Sequence, residues 1–287
     1  MSMNDQGPVR GVWSSRIALF SVLLLFTSLF LHRIFYLPTP TLFLCLGTVY
    51  GLAVLALFLG CVAGVRIWYN GVPGAARVFL GCVVGCLIGI LPFFLFLIAK
   101  NYPLLNDVTT NTADPPLFKT LAQERRGAAN PSLYPSAVFA PLQQTAYPDL
   151  LSLKINRSLQ DTYDLVLAII KRLQVRVVSV EPPTDTNPEG RIEAVQRTLV
   201  VGFYNDLSIR VRGNASTAVI DLRSASRYGK SDFGYNAHLL RGIMRELINQ
   251  LGARVSSGTV DTSDPRSSGV SSTQQKNGSP KKGAVDR

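Results

Sequence analysis

The chain has 287 residues, 47% hydrophobic and only 16% charged, with 29 Lys and Arg against 18 Asp and Glu. Soluble domains carry roughly 25% charged residues, so the composition argues against a wholly soluble protein, a disordered chain or a disulfide-stapled mini-protein and places part of the chain in lipid. Residues 1–99 are that part: five arginines and Asp5 are their only charged side chains, while residues 100–287 have an ordinary soluble composition.

Three apolar stretches lie between the arginines. Ile17–Leu31 ends at His32-Arg33 and reaches spanning length if Ile34–Leu37 continue it; Thr41–Val65 follows Pro38 and Pro40; Val78–Ala99 runs without a charge from Arg77 to Lys100. About 20 apolar residues cross a bilayer, which predicts three helices at about 15–37, 41–65 and 78–99. The first run also fits an export signal, but no small-x-small cleavage site follows it, so an uncleaved anchor is expected. Arg10, Arg16, Arg66 and Arg77 would lie on one side, against Arg33 and Lys100 on the other. The excess puts the N-terminus in the cytoplasm and, after three crossings, everything beyond Lys100 on the periplasmic side of the inner membrane.

All four cysteines, Cys45, Cys61, Cys82 and Cys86, fall inside the apolar stretches, so the exported part needs no disulfide. Cys82 and Cys86 share a helical face without an accompanying histidine and read as apolar filler, with no metal or other cofactor expected. Gly81, Gly85 and Gly89 repeat at four-residue spacing, which serves either packing among the three helices or homo-oligomer formation. No ionisable residue lies deep in a span, which argues against an ion pathway or a transporter subunit.

Residues 101–254 read as an exported α+β domain. Asn101–Ala146 has little periodicity and suits an extended wrap. Leu150–Ile155 reads as a strand, Ser158 caps a helix running to about Leu173, and Val175–Val180 alternates as a strand. Four further pieces, Gly190–Gln196, Thr198–Tyr204, Leu207–Arg212 and Thr217–Ser224, suit an antiparallel meander with one core face and one wet face. Gly234–Leu251 is a helix. The expected fold is an antiparallel sheet gripped by two helices on one face, in the order β-α-β-β-β-β-α, with one candidate piece more than strands. Residues 255–287 are too polar to order and should form a tail.

Several runs of this part resemble the family catalogued as domain of unknown function 1499. They are Asp107–Phe118, Tyr147-Pro148-Asp149, Gly190–Ala194, Gly202-Phe203 through Asp206, Ile209–Arg212 and, above all, Asp221–Ala237. The resemblance implies a bacterial envelope-associated domain with plastid relatives and no established activity, and it supplies no catalytic residue to carry over.

The chemistry legible in the residues is sparse. His238 is the only histidine of the exported part, which leaves neither a Ser/His/Asp arrangement nor a zinc site easy to assemble. Arg227, Lys230, Ser231 and Asn236 lie where a strand gives way to a helix start, a setting suited to an anion. The alternative is that Asp232 caps the helix and Arg227 pairs with a nearby acid. Arg210, Arg212 and Arg223 are expected on the solvent face of neighbouring strands as a basic patch, unless Asp221 and Glu193 pair with them. Anionic lipid or another envelope protein, not nucleic acid, is the partner such a patch would meet across a membrane. The function expected is a non-enzymatic, membrane-tethered binding or scaffolding module. The alternative is a histidine-independent enzyme with an Asp/Ser/Arg/Tyr site, in which Asp114, Asp149 or Asp232 would converge on a pocket.

Overall fold

The computed structural model describes residues 9–71, 73–125, 127, 129–251 and 254–255. Three long helices come first: α1 (Val9–Ile34), α2 (Thr39–Asn70) and α3 (Ala75–Ala99). All three are long and apolar enough to cross a membrane. At 1.5 Å per residue, α2 is about 48 Å long and outreaches the roughly 30 Å hydrocarbon layer. Pro38 and Pro40 stop α1 from running on and restart the chain as α2, whereas Gly71 in the left-handed region (φ 62°) ends α2.

Small residues let the three helices touch. Ser14 of α1 donates from Oγ to the Ala56 carbonyl of α2 at 2.8 Å. A Cβ on Gly81 would lie 2.9 Å from the Ser14 carbonyl carbon, and one on Gly85 would lie 3.1 Å from the Ala53 oxygen. These two glycines therefore serve packing within the chain, while Gly47, Gly51 and Gly89 face open space.

The rest is an α+β fold: β1 (Asp107–Thr109), α4 (Thr120–Glu124), α5 (Ser136–Ala146), β2 (Leu153–Ile155), α6 (Leu159–Arg172), β3 (Arg176–Glu181), β4 (Glu189–Arg197), β5 (Tyr204–Gly213), β6 (Ala218–Ser226), α7 (Tyr235–Leu251) and β7 (Arg254–Val255). The strands pair antiparallel in the order β3-β4-β5-β6-β2-β7, and β1 shares with β2 the edge of β6. From β2 to α7 the order is the expected β-α-β-β-β-β-α. Ser158 caps α6 by accepting from the Asp161 amide, as its sequence position predicts. Helices α6 and α7 lie on one face, where Tyr163, Val166 and Ile170 of α6 and Leu240, Ile243 and Leu247 of α7 bury against Ile192, Ile209 and Leu222 of the sheet.

Two expectations are corrected. Thr198–Tyr204 is not a strand: β4 runs on to Arg197, and residues 198–203 close the β4–β5 hairpin. The Thr198 hydroxyl accepts the amides of Gly202 and Phe203, at 3.1 and 2.9 Å, and Gly202 turns through φ 87°, so local bonds beat strand pairing. The second face of the sheet is not wet either. The described residues between Thr110 and Tyr134 fold over it, burying Phe118 and Leu121 against Val195 and Ala225. Gln143 of α5 braces β1 by bonding both the amide and the carbonyl of Thr109. The expected tail lies outside the described residues, except that Val255 pairs with Leu153 in β7.

Candidate functional site

The alternation of β5 and β6 that buries leucines and isoleucines on one face sends Asp206, Ser208, Arg210, Asp221 and Arg223 to the other. Arg210, Arg212 and Arg223 were expected there as an exposed patch, and the structure corrects this. Arg223 has no exposed surface; its guanidinium forks onto Asp107 at 3.0 and 2.7 Å, donates to the Pro116 and Ser132 carbonyls, and lies 4.5 Å from the Phe118 ring centroid. Arg210 is buried opposite its cross-strand partner Asp221, on which Arg212 also closes, and both arginines bond Asp114. The wrapping segment excludes water and supplies Asp114 and the Pro116 and Ser132 carbonyls, while β1 supplies Asp107, so the cations tie neighbouring strands to each other and the wrap to the sheet.

Each acid feels its setting. Burial pushes the Asp107 carboxyl above the usual carboxylate range, with Arg223 opposing it. For Asp114 burial pushes upward as well, but the bonds and charges of Arg210 and Arg212 prevail and hold it low. Asp206 takes Arg125 on one oxygen and Arg227 on the other, each at 2.8 Å, and Glu193 accepts the Lys119 and Leu121 amides at the start of α4.

The strand-to-helix turn is assembled from the predicted residues, with most of their valences used internally. Asp232 accepts the Gly234 and Asn236 amides at 2.8 and 2.7 Å, so its own carboxylate fills the helix start, and burial lifts its pKa against those bonds. Asn236 is buried among Ser224, Ser226 and the Asn106 carbonyl; Ser231 donates to the Pro103 carbonyl; Arg227 pairs with Asp206 and Glu124. Of the four, Lys230 stays exposed.

A contact that the residue patterns did not reveal joins this fold to the helices. Arg197, the last residue of β4, donates to the carbonyls of His32 and Arg33 at 3.1 and 3.2 Å and to that of Gly202 at 3.1 Å. Its guanidinium lies about 5 Å from the Tyr36 and Tyr204 ring centroids. His32 Nδ1 donates to the Val201 carbonyl at 2.9 Å, and the Phe203 ring meets those of His32 and Phe43. A cation at the C-terminal end of α1 satisfies carbonyls that the helix leaves open and suits its dipole. The only hint in the sequence was a His-Arg pair ending an apolar run.

Residues 107–247 match the family model described as Protein of unknown function (DUF1499). The chain carries a DUF1499 domain. No curated protein matches the chain, and no solved structure does. Within the DUF1499 domain the three acids singled out for an enzymatic reading do not converge: Asp114 serves Arg210 and Arg212, Asp232 caps α7, and Asp149 forks onto Arg241 at 2.7 Å. Asp149 and Arg241 line a shallow depression with Met244, Arg245 and Ile248. Among the described residues no three His, Cys, Asp or Glu side chains gather as a metal site.

Proposed function

We propose that this protein is a membrane-tethered envelope module, non-enzymatic, that presents its DUF1499 domain in a fixed pose on the periplasmic face of the inner membrane and there engages a partner or anionic lipid. The clamp of Arg197 and His32 between the β4–β5 hairpin and the α1–α2 turn carries this reading. A passive tether needs no such contact, whereas a domain that must meet something at the membrane gains from being oriented in advance. The internal ion pairs support it too, because they make the domain rigid and leave its charges satisfied.

Protease added to spheroplasts tests the placement. Digestion of the domain in intact spheroplasts is the expected result; digestion only after lysis overturns the periplasmic assignment. Photo-crosslinking from the domain in intact cells then tests for the partner, and the absence of any protein or lipid adduct would remove the binding role. The depression at Asp149 and Arg241 favours a second reading, an enzyme acting on an envelope substrate. It requires that Asp149→Asn abolish function in cells while the domain stays folded.

A further inference from the structure

The loop closing the β4–β5 hairpin exposes Leu199 at 84% and Val200 at 82%, among the most exposed large apolar side chains described. Leaving such residues in water is unfavourable, and nothing in the loop's own bonding requires them, since Thr198 and Gly202 set its turn. Their place decides what covers them. The flanking carbonyls of Thr198 and Val201 bond Arg33 and His32, so the two side chains lie within two residues of the end of α1. Exposed Ile34, Phe35 and Tyr36 continue the apolar surface there.

A second turn lies at the neighbouring helix ends. Ser231 and Asp232 bond the carbonyls of Pro103 and Leu105, a few residues after α3, and the Tyr228 ring meets Phe43 of α2. That turn presents exposed Phe233 and Lys230. An apolar tip beside a cation, at the level where spanning helices leave the bilayer, has the pattern of an interfacial anchor: apolar groups among the upper acyl chains and the ammonium among phosphates.

We propose that these two turns form a second membrane contact, in which Leu199 and Val200 enter the leaflet surface beside α1 and Lys230 pairs with anionic headgroups. The proposal rests on the membrane-tethered reading and not on which leaflet faces the domain.

The test uses the full chain in nanodiscs, with Cys45, Cys61, Cys82 and Cys86 replaced by alanine and one fluorophore placed on a cysteine at position 199, 200, 186 or 61. Thr186 lies in the β3–β4 turn, at the opposite end of β4 and about 30 Å away along the strand. Spin-labelled lipid should quench the label at 199 and 200 several-fold more than at 186, and Lys230→Glu should weaken that quenching in phosphatidylglycerol discs more than in phosphatidylcholine discs. Equal quenching at 199 and 186, with position 61 quenched, overturns this contact alone; no quenching at 61 overturns the tether with it. Protection at 199 that arises only in discs holding two copies also overturns it, in favour of a contact between chains.

Discussion

Asp107→Ala removes the carboxylate that faces the fully buried guanidinium of Arg223. Two charge-assisted hydrogen bonds disappear, at 3.0 and 2.7 Å, and Arg223 keeps only the Pro116 and Ser132 carbonyls and the Phe118 and Tyr134 rings. Such bonds contribute about 1.5–3 kcal/mol each, in line with the roughly 3–5 kcal/mol cost of stripping one partner from a buried pair. An arginine cannot escape by losing its proton. Burial raises Asp107 in the parent fold, however, so the parent itself loses stability as pH climbs above about 3.9, and the Asp107→Ala penalty should be largest at low pH and shrink as pH rises. The reverse variant behaves differently. In Arg223→Met the stranded acid can take up a proton, and Asp107 already sits above its ordinary pKa in the fold. A carboxyl raised on folding contributes stability that is complete below its unfolded value, about 3.9, and is lost as pH rises through the folded value, at about 1.4 kcal/mol per unit. Arg223→Met should therefore cost least at about pH 4 and progressively more as pH rises above about 3.9. Hydrogen exchange of the β5 and β6 amides in nanodiscs, corrected for intrinsic rates, reads both effects. A loss under about 1 kcal/mol for Asp107→Ala, or a pH-indifferent Arg223→Met, would refute the view that this buried pair holds β1 on β6.

Arg197→Ala removes the donors to the end of α1, so spin-label distances between α2 and the β3–β4 turn should broaden while the domain's own exchange protection is kept; an unchanged distribution would contradict the clamp. Gly81→Leu should disrupt the helix bundle because its side chain would meet Ser14, whereas Gly89→Leu, facing open space, should leave the bundle intact; cysteine cross-linking between α1 and α3 checks both. If Gly89→Leu instead changes the oligomeric state, that glycine serves contact between chains. Asp232→Asn keeps a capping side chain but removes an acid whose pKa burial raises. Relative to the parent, the variant should gain stability as pH climbs above about 3.9, read from the α7 amides; a flat or opposite trend would show that the cap, not ionisation, governs there.

Where a signal repeats locally, the sequence was enough. Apolar length predicted α1, α2 and α3, although α1 gains its length from residues before Ile17 and ends at Ile34 instead of continuing to Leu37; the Ser158 cap and helical spacing predicted α6; alternation predicted β5 and β6. The turn at Arg227–Asn236 was also legible as a place where charged and polar groups gather. The expected patch at Arg210, Arg212 and Arg223 failed because alternation tells which side chains share a face and says nothing of what lies above it. Thr198–Tyr204 was misread because its apolar composition reads as a strand, whereas the Thr198 hydroxyl and the left-handed Gly202 close it as a turn.

Sequence alone thus determined which segments are apolar enough for lipid, the α+β order and the side of the sheet that packs on helices, since each follows from periodicity within about twenty residues. Tertiary structure decided that the segment following β1 covers a polar sheet face and leaves its ion pairs buried, and that Arg197 meets His32 and Arg33 at the end of a helix 164 positions away. Those partners are set by where the chain returns in space, and a charge far along the chain leaves no local trace of the acid or carbonyl it will meet.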